Sequence, residues 1–154
     1  MLLISFGTRP EYIKIKPLLK RFDGVIPYAL LFTGQHTSLL EKVIDTTDIR
    51  RLQVTDGDNR LDSIVSSIMN NDHVFNGITS VMVQGDTTSA FAVGLAAFHR
   101  KIEVIHLEAG LRTWDMDNPY PEEFNRQALS RLASIHLCPT EVSALNLNAE
   151  NIRK

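Results

Sequence analysis

The chain has a single cysteine in 154 residues, so no disulfide forms within it and its stability must come from packing. That residue, Cys138, falls in the apolar run Ile135 to Cys138, where a lone thiol is expected as a small core residue. Basic residues are not in excess: 16 Lys and Arg stand against 18 Asp and Glu, a net charge of −2. No basic stripe offers itself to nucleic acid or to an acidic membrane surface, and neither partner is expected. Long hydrophobic runs are missing too. No stretch approaches the ~20 apolar residues that span a bilayer, and Met1 to Phe6 lacks the basic flank and cleavage site of an export signal. The expected location is the cytoplasm. Linkers rich in Pro or Gly, internal repeats and low-complexity tracts are absent from the sequence, which leaves one domain over 1–154 as the simplest division.

What is there is an ordinary globular composition, 44% hydrophobic and 22% charged, with the charges spread along the chain. A chain of this length buries roughly two thirds of the surface it exposes when unfolded. Leu2 to Phe6 is an apolar run of strand length, followed by Gly7 and then by Pro10 at the opening of a helical pattern through Ile13, Ile15, Leu18, Leu19 and Phe22. Pro17 lies inside that pattern and is expected to kink or shorten the helix.

The cycle repeats. Strands are expected at Tyr28 to Phe32, weakly at Leu52 to Val54, then at Ser80 to Gln84, Val104 to Leu107 and Ile135 to Leu137. Helices are expected at Ser38 to Ile44, Leu61 to Phe75, Ala90 to Phe98, from Glu122 with Pro121 in the first turn, and from Thr140 and Glu141 with Leu145 and Leu147 facing inward. Between Glu108 and Tyr120 runs a polar segment of functional loop length. Strands alternating with helices imply an α/β fold, a doubly wound and mostly parallel sheet with helices on both faces.

In such a sheet ligands bind beyond the carboxyl ends of the strands, which singles out four segments: Gly7 to Glu11, Gln84 to Thr88, His106 to Arg112, and Pro121 to Arg126. The first is a helix start whose free N–H groups favour an anion, with Arg9 and Lys14 nearby, but taken alone it reads rather as a plain turn with solvated charges. Asp86 alone reads as an N-cap. Glu108, at the end of the next strand, changes the balance, because neighbouring strands lie ~5 Å apart and two carboxylates brought together divide acid and base roles between them. Glu122 either completes that cluster or complements a helix dipole. Arg112 and Arg126 are candidate counter-ions or phosphate contacts. His106 and Glu108, two apart on a strand, would allow a metal with Asp86, but a hydrogen-bonded core histidine is the expected reading.

Together the segments resemble the non-hydrolysing UDP-N-acetylglucosamine 2-epimerases: Gly7-Thr8-Arg9-Pro10-Glu11 with Lys14, Gln84-Gly85-Asp86-Thr87, His106-Leu107-Glu108-Ala109-Gly110-Leu111-Arg112, and Pro121-Glu122-Glu123 with Asn125-Arg126. The likeness runs from Leu3 to about Asn151 and includes Thr33-Gly34-Gln35-His36 and Pro139-Thr140-Glu141. Hydrolysing relatives carry Gly-Gly-Glu where this chain has Glu108-Ala109-Gly110, so it sides with the non-hydrolysing group.

The resemblance implies the N-terminal Rossmann-like half of a two-domain GT-B architecture, with the C-terminal UDP-binding domain not in this chain. It implies interconversion of UDP-GlcNAc and UDP-ManNAc without metal or NAD, by loss of the C2 proton with elimination of UDP, then re-addition on the other face, supplying ManNAc for surface polysaccharide. It implies acid/base roles for Asp86, Glu108 and Glu122, contacts to the nucleotide-sugar for Arg9, Lys14 and Arg126, and a homodimeric parent. Gln35 and His36 match part of an activator site, although Ser38 stands where a further Gln is expected. On this reading the chain alone is inactive. Two rival readings are a GT-B glycosyltransferase domain and a non-catalytic nucleotide-sugar module.

Overall fold

The computed structural model describes residues 1–34, 49–55 and 57–152. Six strands form one wholly parallel sheet: β1 (Leu2–Phe6), β2 (Tyr28–Phe32), β3 (Ile49–Arg51), β4 (Ser80–Gln84), β5 (Glu103–Leu107) and β6 (Ile135–Leu137), in the order β3-β2-β1-β4-β5-β6. Five α-helices occur among the described residues: α1 (Arg9–Phe22), α2 (Arg60–Met69), α3 (Thr88–His99) and α4 (Glu122–Leu132) lie between strands, and α5 (Glu141–Ala149) follows β6. From β1 the chain winds outward through β2 to β3; it then returns to β4, beside β1, and winds the other way. The reversal opens a crevice at the carboxyl ends of β1 and β4.

Alternation along β1 divides the core. Leu3 faces the helices α2, α3 and α4, where Ile64, Ile68, Val93, Ala96, Ala97 and Leu129 are buried. Leu2, Ile4 and Phe6 face the other way, onto Tyr12, Ile15 and Leu19 of α1. Both faces are thus covered, as the sequence pattern requires. The small residues of α3 let it lie close to its neighbours: a Cβ added at Gly94 would come within 2.6 Å of Leu129 Cδ2.

Several expectations are corrected. Pro17 does not shorten α1, which runs on to Phe22. The edge strand is Ile49–Arg51 rather than Leu52 to Val54, although Leu52 still donates its N–H to Phe32 O at 2.9 Å and is buried; an edge strand with arginines lacks the apolar signature of a central one. The expected helix from Leu61 to Phe75 divides into α2 and a 3-10 turn at Asp72–Phe75, broken where the Asn71 side chain turns back to Ser67 O at 2.5 Å. In α5 Leu147 is buried but Leu145 is 63% exposed, since residues two apart on a helix do not share a face. Cys138 lies beyond β6 and is half-buried at a cleft wall rather than in the core. The helix expected at Ser38 to Ile44 lies outside the described residues.

Candidate active site

At the β1–α1 turn, Thr8 caps the helix and forms a capping box with Glu11. Glu11 is almost wholly buried. Its Oε2 accepts from the N–H groups of Gly7 at 2.8 Å and Thr8 at 2.7 Å and from Thr8 Oγ1 at 2.9 Å, while Oε1 accepts from Thr87 Oγ1 at 2.7 Å. The amides of Gly7 and Thr8 are therefore occupied by the chain's own carboxylate, and that of Glu11 by Thr8 Oγ1. The side chain of Arg9 is exposed.

The β4–α3 turn is capped by Thr87, whose hydroxyl accepts from Ala90 N at 3.1 Å, so the capping reading of Asp86 is replaced. Asp86 is held instead from α4. Its carboxylate accepts from Arg126 Nε at 2.7 Å and its carbonyl from Asn125 Nδ2 at 2.8 Å.

Glu108 follows β5 in the left-handed conformation, φ 69°, uncommon outside glycine. Both its oxygens accept from Lys14 Nζ, at 2.9 and 2.7 Å, and Oε2 also accepts from Gln84 Nε2. Register brings it there: Gln84 pairs with Leu107, so Glu108 emerges beside Gly85. The two acids stand at adjacent strand ends as expected, each with its own cation, and no hydrogen bond joins them among the described residues. Lys14 is half exposed, and such a pair contributes only about 0–1 kcal/mol. The pair therefore holds Lys14 only weakly. A cleft of about 240 Å³ lies against Lys14, Gln84, Glu108, Leu137, Cys138 and Pro139. Burial pushes the Cys138 thiol up, against a smaller opposing effect of Arg112, which leaves it a poor nucleophile.

His106 is the core residue expected. It is 1% exposed, its Nε2–H donates to Gly85 O at 2.8 Å, and Nδ1 has no partner. Burial lowers its pKa to about 4, despite the Gly85 bond, so the ring is neutral. No group of three metal ligands occurs among the described residues.

Glu122 opens α4, half-buried, without a side-chain partner among the described residues. The next residue is different. Glu123 is fully buried and accepts from Thr113 N at 3.0 Å, Trp114 N at 3.2 Å, Gln127 Nε2 at 3.0 Å and Arg126 Nη1 at 3.1 Å. Burial alone would raise its pKa, but these donors outweigh it and hold the carboxyl at about 2. Arg126 thus bridges two carboxylates. Burial opposes the charge of Arg126, yet Asp86 and Glu123 raise its pKa. Arg112, by contrast, is no ligand contact: its buried guanidinium pairs with Glu150 at 2.5 Å and Ser130 Oγ at 3.0 Å. Removing one partner of such a pair costs about 3–5 kcal/mol.

The structure therefore gathers Lys14, Asp86, Glu108 and Arg126 into two ion pairs at the crevice, with Arg9 and Glu122 at its margins. Gln35 and His36 lie outside the described residues. Sequence reasoning missed Glu11 and Glu123. Glu11 carried a readable signal, the Thr8-x-x-Glu11 capping box; Glu123 carried none, since nothing in Glu122-Glu123 says which of the two turns inward.

The model of the family described as UDP-N-acetylglucosamine 2-epimerase matches residues 21–154. The chain is 41% identical to a UDP-N-acetylglucosamine 2-epimerase of Salmonella borreze, covering 99% of this chain and 42% of that protein. It is also 41% identical to one of Bacillus subtilis, covering 95% and 40%. Among solved structures it superposes on the UDP-GlcNAc 2-epimerase of Neisseria meningitidis bound to UDP-GlcNAc with a TM-score of 0.92 at 38% identity, over 99% of this chain and 43% of that one. The Methanocaldococcus jannaschii enzyme, in complex with UDP-GlcNAc and UDP, gives 0.86 at 30% identity, over 99% and 44%. The chain spans about two fifths of the length of these relatives. By sequence and by fold it belongs to the UDP-N-acetylglucosamine 2-epimerase family.

Proposed function

We propose that residues 1–154 are the N-terminal, Rossmann-like domain of a non-hydrolysing UDP-GlcNAc 2-epimerase of GT-B architecture, whose second domain lies outside this chain. The observation that carries the reading is the arrangement at the ends of β4 and β5. Two carboxylates, Asp86 and Glu108, stand at adjacent strand ends with exchangeable or bridging cations, Lys14 and Arg126, and a third acid, Glu122, opens the facing helix.

The chemistry needs these groups. A carboxylate removes the C2 proton while the C1–O bond to UDP breaks, giving a glycal and UDP; UDP then re-adds at C1 while a solvent-exchangeable acid delivers a proton to the opposite face of C2. Asp86, Glu108 and Glu122 supply the acids and bases. Arg9, Lys14 and Arg126 meet the negative charge that develops on the leaving diphosphate. Glu108 keeps the Gln84 side chain as an orienting donor when Lys14 turns to the diphosphate, which leaves its carboxylate free to take a proton. In this reading the parent acts in the cytoplasm as a homodimer, provides ManNAc for surface polysaccharide, and the chain alone does not turn over.

The test is epimerisation of UDP-GlcNAc in deuterated water by the protein at the length of its relatives. Deuterium entering C2 of both epimers is expected. Epimerisation that keeps the original hydrogen would refute proton transfer and return the three acids to structural roles.

A further inference from the structure

Glu123 stands beside the proposed catalytic acids without facing the crevice. It is fully buried, yet all its hydrogen bonds go to elements that shape the site. Two go to the backbone N–H groups of Thr113 and Trp114, in the segment leading from Glu108 to α4. One goes to Arg126, which places Nε against Asp86 at 2.7 Å and Nη1 against Glu123 at 3.1 Å. The last, from Gln127, fixes the carboxylate within its own helix.

We infer that Glu123 is a positioning residue: through Arg126 it sets the orientation of the Asp86 carboxylate, and through Thr113 and Trp114 it ties the loop after Glu108 to the same point. The role in catalysis rests on the epimerase reading above; the clamp itself does not. A guanidinium has a fixed planar fork. With Nη1 held by a buried carboxylate, Nε has one direction left in which to donate, and Asp86 lies there. Without Glu123 the fork is free to turn and present a different N–H, and Asp86 loses its fixed partner.

The inference is tested in the 154-residue chain and in the protein at the length of its relatives. In the chain, the Arg126 Nε–H is expected as a slowly exchanging NMR signal, and Glu123→Gln is expected to speed its exchange at least about tenfold, with Thr113 and Trp114 amides following. In the longer protein, Glu123→Gln is expected to lower kcat roughly tenfold or more with KM little changed, and to cost almost nothing further in an Asp86→Asn background. A merely structural Glu123 would cost the same in both backgrounds. Should Glu123→Gln fail to fold, Glu123→Asp keeps the charge but is one methylene short of reaching all four donors. An unchanged Arg126 Nε–H signal, an undiminished loss in the Asp86→Asn background, or failure of both variants to fold would each overturn the inference. A wild-type longer protein without epimerase activity would sink the functional reading instead, while the Arg126 signal would still report the clamp.

Discussion

His106 makes the stability of this domain fall with acid in a pH range that can be isolated. Its ring is buried, donates from Nε2 to Gly85 O, and leaves Nδ1 without a partner, so a second proton would place an unsatisfied N–H and a charge inside the core. The folded pKa is about 4 against an ordinary 6.5. The sign follows from that depression: below pH 6.5 the unfolded chain takes up a proton that the folded one refuses until about pH 4. Stability therefore drops as pH falls through that interval and levels off below it. At about 1.4 kcal/mol per pH unit the whole gap amounts to roughly 3 kcal/mol, a large share of an ordinary domain's stability. Glu123 works in a different range: its carboxyl, at about 2 rather than 4.5, contributes stability that is complete above pH 4.5 and lost as pH falls toward 2. Urea denaturation between pH 6.5 and 4.5 thus reads the histidine without interference from Glu123. The wild-type chain should lose about 2 kcal/mol across this window, and His106→Gln, which keeps a donor for Gly85, should lose about 2 kcal/mol less. Parallel pH profiles for the two proteins would refute the account of a buried, neutral ring.

Gly110 sits at φ 84°, and a Cβ there would lie 2.2 Å from Ser143 O, a backbone atom. Gly110→Ala should cost about 2–5 kcal/mol from strain and overlap combined, whereas Gly24→Ala, at φ 73° with nothing within 4 Å, should cost only about 1 kcal/mol; equal losses in urea melts would contradict the close packing of α5 on that loop. In the protein at the length of its relatives, Asp86→Asn and Glu108→Gln should each lower turnover roughly a hundredfold or more, as steady-state kinetics would show, and near-normal rates in both would remove them from the proton-transfer steps.

The parallel sheet was legible because its central strands are continuous apolar runs, each ending at a glycine or a polar residue that marks the crevice: Phe6 before Gly7, Gln84 before Gly85, Leu107 before Glu108. The edge was not. Ile49–Arg51 is held by backbone pairing to β2 and carries arginines, so no side-chain pattern announces it. Asp86 and Glu108 were found at adjacent strand ends because register follows from strand order, but their separate ion pairs depend on where Lys14 of α1 and Arg126 of α4 arrive, which is tertiary packing. The same holds for Glu123, buried at 0% beside a half-buried Glu122: two identical residues in sequence take opposite environments because only one faces the loop amides. Of the two readings open for Arg112, counter-ion or phosphate contact, the structure shows the first; its partner Glu150 lies 38 residues on, and only tertiary packing brings the two together.

On the proposed reading the nucleotide-sugar is handled at the crevice formed by the ends of β1, β4 and β5 and the start of α4. Titration of the isotopically labelled 154-residue chain with UDP-GlcNAc, followed residue by residue by NMR, tests it most directly. With one wall of the cleft present, saturable binding in the millimolar range is expected, about 4 kcal/mol. Perturbations should centre on Arg9, Lys14, Asp86, Glu108, Glu122 and Arg126. Perturbations centred instead on the polar cleft at Gln53, Ser66 and Asn70, or no saturable change at millimolar ligand, would contradict the assignment of the site.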